Sequence, residues 1–403
     1  MKKIVLDILT CLKNKLNNKG STTILILIIL STIISITIML VNTSENKAKS
    51  GMQRSMLTLS SRSVLSEYSK TLKDEYGIFA FDLTTKEISD KIKFYIKSNT
   101  KINPKINRLT IDRYMLTNTQ NFENQIVEYS KFAFVDHIIN KDKKPTNDRK
   151  GDRVLKNQRV ISILPSKNIK GNSLNISDIA EAMKDIDGLF DKGKKTVLGN
   201  MYILNMFNNR AEDNGDTFFK HEVEYIISGK LDDQKNYKSV RRKIVLVRNM
   251  INLAVIYNTP ELKGVVLTMA ALAGVGVEIA IPIIAEAWAL IEAENDMKIL
   301  ENGGKVPILK NKDTWATDIK SIIENEEDKY IDNNSQTGMD YRDYLHVLLY
   351  FTDKELRYLR TMDLMQINIQ GKYDETFNIN LAATGFSYDI NIDKNRYKYD
   401  EKY

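Results

Sequence analysis

The run from Ile24 to Val41, ILILIILSTIISITIMLV, contains no charge, no Gly and no Pro. At about 1.5 Å per residue it measures roughly 27 Å as a helix, close to the ~30 Å hydrocarbon thickness of a bilayer. Its many β-branched residues weaken a helix in water. In lipid, however, the backbone satisfies its N–H and C=O groups only internally, and helix becomes the default. A transmembrane helix over 24–41 is therefore expected. Lys2, Lys3, Lys13, Lys15 and Lys19 precede it against Asp7 alone, whereas Lys47, Lys49 and Arg54 follow it. That bias predicts a cytoplasmic basic leader over 1–23 and a body on the extracellular side of the cell membrane. The stretch NTSENKAKSG after Val41 offers no small-x-small cleavage site, so the anchor is expected to stay uncleaved.

The leader accounts for about +4 of the formal +7, which leaves nothing that singles out nucleic acid as a partner. The sole cysteine, Cys11, lies in the leader, so the exported part has no disulfide and depends on packing. About 360 residues remain beyond the anchor, enough for a sizeable core.

Met52, Met56, Leu59 and Ser63 share one helical face, and Leu57, Val64, Tyr68 and Leu72 mark another. The membrane helix is thus expected to run on to about Asp74 and stop at Gly77. IFAFDL (78–83), RLTIDRYML (108–116) and QRVISIL (158–164) read as strands, and 121–140 reads as an amphipathic helix. Residues 42–140 form a first α+β segment, KDKKPTNDRKGDR (141–153) a charged solvated loop, and 154–403 a helical region. Its helices are placed at 177–187, 197–208, 218–227 and 237–257, with Pro260 opening another. The uncharged stretch Gly264 to Val277 is too short to span, Glu278 follows it and Pro282 interrupts the continuation, so a buried helical hairpin is expected. Further helices are placed at 285–300, at Trp315 with Ile319, Ile322 and Ile323, at 341–350, and after a capping box at Thr352 to Glu355. QINIQ (366–370) and 377–392 alternate with period two, with Thr384-Gly385 as a turn. The fold class is α+β: a long N-terminal transmembrane helix, a mostly helical ectodomain, and an antiparallel sheet formed by strands near both its ends.

Chemical motifs are sparse. Gly188 to Lys195 matches a phosphate loop except that Lys195 replaces the Mg²⁺-binding hydroxyl, and a helical pattern precedes it, so a helix–Gly–helix turn is expected. His221-Glu222-Val223-Glu224-Tyr225 begins like a zinc-protease helix, but Tyr225 replaces the second histidine. His137 and His346 are isolated, and Gly274-Val-Gly276 lacks a third glycine. Asp332 to Asp343 has the wrong spacing for an EF-hand loop. There is no GxSxG. Glu222 with Glu224, and Glu292 with Asp296, are carboxylate pairs whose ordinary role is to solvate a helix face. No catalytic residue, metal site or cofactor is expected, and the chain reads as non-enzymatic.

KGSTTILILIIL, LSEYSKTLKDEYGIFAFD (65–82), HEVEYIISGK (221–230), IVLVRNMINLAVIY (244–257), AWALIEAENDMKILENGGKVPI (287–308), and YRDYLHVLLY with LRTMDLMQIN (341–368) resemble an uncharacterised (DUF) family of clostridial, hence Firmicutes, single-pass membrane proteins encoded near Tad/Flp-type pilus genes. The resemblance implies a pilin-like anchor and a cell-surface ectodomain, and carries no catalytic residue. Lys19-Gly20 fits a prepilin-type cut before Ser21, although Leu25 stands where prepilins carry Glu. The expectation is a structural or assembly component of a Tad/Flp pilus-like apparatus, in contact with the lipid bilayer and with other membrane or pilus-like subunits through its N-terminal helix. The alternative is a surface binding module for a glycan or matrix ligand, using Phe386, Tyr388, Tyr397, Tyr399 or Tyr403.

Overall fold

The computed structural model describes residues 19–99, 104–139, 153–273, 276–318, 331–333, 335–393 and 395–403. The charged loop over 141–152, most of the leader, and Ile319, Ile322 and Ile323 fall outside the described residues. The chain divides into two compact units, the first from residues up to 66, 84–110 and 387–401, the second from 67–83, 111–386 and 402–403.

The first unit begins with α1, Lys19–Leu65, a single helix of 47 residues. Its last third departs from the expected faces: of Met52, Met56, Leu59 and Ser63 only Met56 is buried, whereas Leu57 and Val64 of the other stripe are buried. Against it lies α2, Thr85–Asn99, whose Ile88, Ile92 and Ile96 repeat every four residues and are fully buried. The sheet follows as β1 (Lys105–Thr110), β2 (Gly385–Ile392) and β3 (Asn395–Lys402), antiparallel and in that spatial order. Leu109 pairs with Tyr388 and Ile106 with Ile390, with a register irregularity between Ile106 and Arg108. Buried Phe386, Tyr388, Ile390 and Ile392 give β2 the period-two face of a half-buried strand. Ser61 Oγ meets Tyr388 Oη at 2.8 Å, and Tyr397 donates to Gln53 Oε1 at 2.7 Å.

The second unit opens after a break. The expected rod to Asp74 stops at Leu65, because Ser66 turns its hydroxyl back on Ser63 O and Ser69 caps a separate helix, α3 (Lys70–Tyr76). Gly77 does end that helix, at φ 67°, with the Tyr129 ring where a Cβ would stand. Residues 78–83 make one isolated bridge, Phe81 to Ala383, rather than a strand. After β1 comes a 3₁₀ turn at Asp112–Tyr114, then α4 (Thr119–Ile139).

The predicted strand at 158–164 is instead a short helix, α5 (Gln158–Ser162), started by Asn157 accepting from Arg159 N–H. There follow α6 (Ile176–Ala182), α7 (Ile186–Lys192), α8 (Lys194–Met206), α9 (Glu222–Ser228) and α10 (Asp233–Asn258). α11 (Pro260–Leu272) and α12 (Val277–Glu301) form the expected helical hairpin. It is not wholly buried, however: Leu272, Ile279 and Ile283 are exposed. Nor does Pro282 break α12, since in the second turn it forgoes only the ladder bond to Glu278. Trp315 lies beyond a turn and packs edge-on against Trp288 at 5.0 Å rather than opening a helix.

The unit's centre is α13 (Tyr341–Phe351) and α14 (Lys354–Lys372). The capping box sits at Asp340 and Asp343, ahead of α13, whereas α14 starts from Asp353 rather than Thr352. QINIQ belongs to α14. Almost every residue from Leu356 to Ile369 is buried, so no polar stripe reports a helical period. The polar residues that mimic strand alternation are consumed internally: Gln366 binds Phe377 O and Ile379 N, and Asn368 binds Phe218 N and Glu222. Thr384-Gly385 leads into β2 instead of turning a hairpin; Asp393, at φ 52°, sits at the end of β2 ahead of β3.

Candidate functional site

Gly20, Ser21, Ile24 and Val41 all lie on α1. Over its apolar window, mean hydropathy is 3.0 and none of the window is buried. The hydroxyls within it are satisfied on the helix itself: Ser31 donates to Ile28 O, Thr32 to Ile29 O, Ser35 to Ser31 O and Thr37 to Ile33 O. This arrangement lets polar residues sit in hydrocarbon without orphaned groups. The helix fits a membrane anchor, and a helix of this kind near an N-terminus also fits a signal sequence.

The segment His221 to Tyr225 is buried rather than facing solvent. Glu222 accepts from Asn208 N at 2.8 Å and from Asn368 Nδ2 at 2.7 Å. Glu224 Oε1 accepts from Arg210 N and from Tyr341 Oη, both at 2.9 Å. Tyr225 donates to Asp363 Oδ2 at 2.9 Å. Asp233 receives the backbone N–H groups of Lys220 and His221 and lies 3.1 Å from His221 Nδ1. The would-be zinc helix therefore fastens α9 to the 208–217 loop, α10, α13 and α14.

Burial drives the electrostatics here. It pushes Glu222 up to about 7 despite three hydrogen bonds, and Asp363 up to about 6 despite those from Ser166 and Tyr225. Glu224 is raised by the same cause. For His221, burial opposes the charged form, but the bond to Asp233 and the fields of Glu224 and Asp233 outweigh it and the pKa rises. The His221–Asp233 pair resembles a base with its orienting carboxylate. Among the described residues, however, His221 Nε2 has no hydrogen-bond partner, and the ring is buried and stacked on Tyr237.

The second carboxylate pair is spent on cations. Asp296 binds Arg248 at 2.9 Å, and Lys310 contacts both Asp296 and Glu292, with all four side chains at zero exposure. Glu292 also accepts from Ala316 N, Thr317 N and Thr317 Oγ1. Burial would raise Asp296, but Arg248 and Lys310 hold it below the usual carboxylate range.

A cavity of about 230 Å³ lies beside α9, lined by Ile161, Leu164, Tyr225, Leu231, Leu356 and Arg360 among others. Its guanidinium already donates to Ile226 O and Ile227 O at the end of α9, where Gly229 (φ 67°) makes room for it.

The phosphate-loop look-alike is a helix–Gly–helix junction, with α7 and α8 meeting at Gly193 against Tyr350. His137 falls in α4, and His346 stacks on Phe190 at 4.4 Å, with burial pushing its pKa down to about 4. Gly274 lies outside the described residues. Asp343 serves the capping box. Among the described residues no group of three or more His, Cys, Asp or Glu is placed to hold a metal ion. Phe386, Tyr388 and Tyr397 are buried, so three of the five aromatics considered for sugar stacking are taken by packing. Sequence reasoning missed Arg248, Lys310, Asp233 and Asp363; a charge within an otherwise apolar helical repeat was the available signal for Arg248 and Asp363, and Lys310 and Asp233 lie outside such repeats.

The class these features define is a mostly helical protein with a long N-terminal apolar helix whose apolar window is unburied, and a body whose buried carboxylates, among the described residues, are hydrogen-bonded or ion-paired. The chain belongs to the Family of unknown function (DUF5702), whose model matches residues 139–394. No curated protein matches the chain. No solved structure matches it either.

Proposed function

We propose that this chain is a non-enzymatic, single-pass membrane protein of the bacterial cell surface that serves as a structural or assembly component of a Tad/Flp pilus-like apparatus. In this reading Ile24 to Val41 is the anchor, the N-terminus is cytoplasmic, and the body is extracellular. The observation that carries it is α1: a 47-residue helix whose apolar window is not buried among the described residues, so that lipid or partner helices are left to cover it. The charge bias of the leader supports the orientation, and Lys19-Gly20 together with the family resemblance supports the pilin-like comparison. The non-enzymatic part rests on the buried carboxylates, each engaged in holding helices together.

The test is crosslinking in native membranes followed by purification of the chain and mass spectrometry of its N-terminus. Pilus-type subunits in the crosslinked product support the reading, and a start at Ser21 in sheared fibres would add processing to it. Recovery of the chain without such subunits would overturn it.

A further inference from the structure

Residues 246–290 carry a second concentration of uncovered apolar surface, on three helices that pack on one another. Their inner faces meet in a small core of Val255, Ile256, Leu262, Val266, Trp288 and Trp315 with neighbouring alanines. On the outer face of α10, Leu246, Met250 and Tyr257 are exposed at helical spacing, and on α12 so are Ile279, Ile283 and Leu290. Val265, Leu267 and Leu272 of α11 and Val277 of α12 add to them. These ten side chains are 40 to 75 % exposed. Seven of the ten lie on the α11–α12 hairpin.

We propose that this lobe is a self-association surface, and that its occupant is the same lobe of a second copy of the chain. The charges favour this over lipid. The exposed charged residues across 246–290 are Glu261, Lys263, Glu278 and Glu286, a set of both signs that a second copy can match and hydrocarbon cannot. Lys263 sits at the base of the hairpin and Glu278 at its tip, about nine residues apart along α11, so that they are too distant to pair within one hairpin. In a two-fold antiparallel pairing of two hairpins, the base of each lies beside the tip of the other. Lys263 of one copy then faces Glu278 of its partner twice over, and the apolar faces between them close on themselves. The proposal rests on the lobe alone and stands whether or not α1 is in a membrane.

The experiment uses the full chain with Cys11→Ser, which removes its sole cysteine. Ile283→Cys is introduced in one sample and Leu381→Cys, an exposed apolar site elsewhere, in a control. A short bis-maleimide is expected to link Ile283→Cys chains into dimers at least fivefold more than the control. Adding Lys263→Glu should lower that yield several-fold, and Glu278→Lys on top of it should restore it. Monomeric Ile283→Cys reacting with a soluble maleimide as fast as the control would overturn the proposal. So would monomeric Ile283→Cys that is shielded in membranes and becomes reactive in detergent, which identifies lipid as the occupant. Alkaline carbonate extraction of the same samples reads the anchor separately, so a dimer that washes off the membrane sinks the anchor and keeps this proposal.

Discussion

Arg248 Nε lies 2.9 Å from Asp296 Oδ2 with both side chains at zero exposure, and the same guanidinium reaches Asn252 and the carbonyls of Pro307 and Ile308. One side chain thus joins α10, α12 and the 305–310 segment. Removing Asp296 leaves Arg248 buried without a counter-charge, at a cost of about 3–5 kcal/mol, whereas removing Arg248 leaves Asp296 with Lys310 alone. Asp296→Asn is therefore expected to lower the urea midpoint of the full chain sharply. Arg248→Met should lower it too, and the double variant should lose less than the sum of the two.

Glu222 and Asp363 give stability a distinct pH dependence. Both carboxyls have folded-state pKa values raised, to about 7 and about 6. The folded state therefore holds protons that the unfolded chain releases. Their contribution is full below the ordinary carboxyl pKa of about 4 and is lost as pH rises to about 7. A shift of this size corresponds to about 3 kcal/mol per group. Denaturation at several pH values should show Glu222→Gln flattening that decline. His346 works the other way: burial lowers its pKa to about 4, so its contribution is lost as pH falls from about 6.5.

Two glycines predict opposite signs. Gly338 has φ 129°, and a Cβ there would come 2.4 Å from Val306 backbone atoms, so Gly338→Ala should destabilise by about 1–3 kcal/mol. Gly371 lies in α14 with open space around its Cβ position, so Gly371→Ala should stabilise by about 0.5–1 kcal/mol. Chemical denaturation of both variants checks the contrast.

The apolar window of α1 is unburied among the described residues. Ile33→Arg together with Ile34→Arg should cost about 5–7 kcal/mol of insertion free energy, since each central arginine costs about 2.5–3.5. The expected result is loss of the chain from carbonate-washed membranes with an unchanged thermal transition of the body. Retention in the membrane would refute the anchor at 24–41.

Legibility in the sequence followed how strongly one face was buried. α10 was readable because Val240, Ile244, Val247, Ile251 and Val255 form a stripe against a polar remainder, and all are buried. α14 was not, because a helix buried on every side carries no stripe, and Gln366, Asn368 and Gln370 imitate a strand. β3 was hidden for the opposite reason. In NRYKYDEK the burial is confined to Tyr397, so few apolar residues mark the alternation. Of the site, the sequence displayed Glu222, Glu224, Glu292 and Asp296 as pairs on helix faces. Their partners lie 14 to 146 residues away, and proximity of that kind leaves no local pattern.

The pairing of β1 with β2 joins Thr110 to Ser387, with more than half the chain between them. The first unit therefore stays open, with β1 lacking its partner, until β2 has been made. The second unit also joins distant segments, since α14 contacts α3 and α4, but those contacts are complete before β2 begins at Gly385. Synthesis from the N-terminus thus makes β1 long before the strand it pairs with. A chain that ends early keeps a helical body and a bare strand edge, which is the feature that cellular quality control and aggregation both recognise.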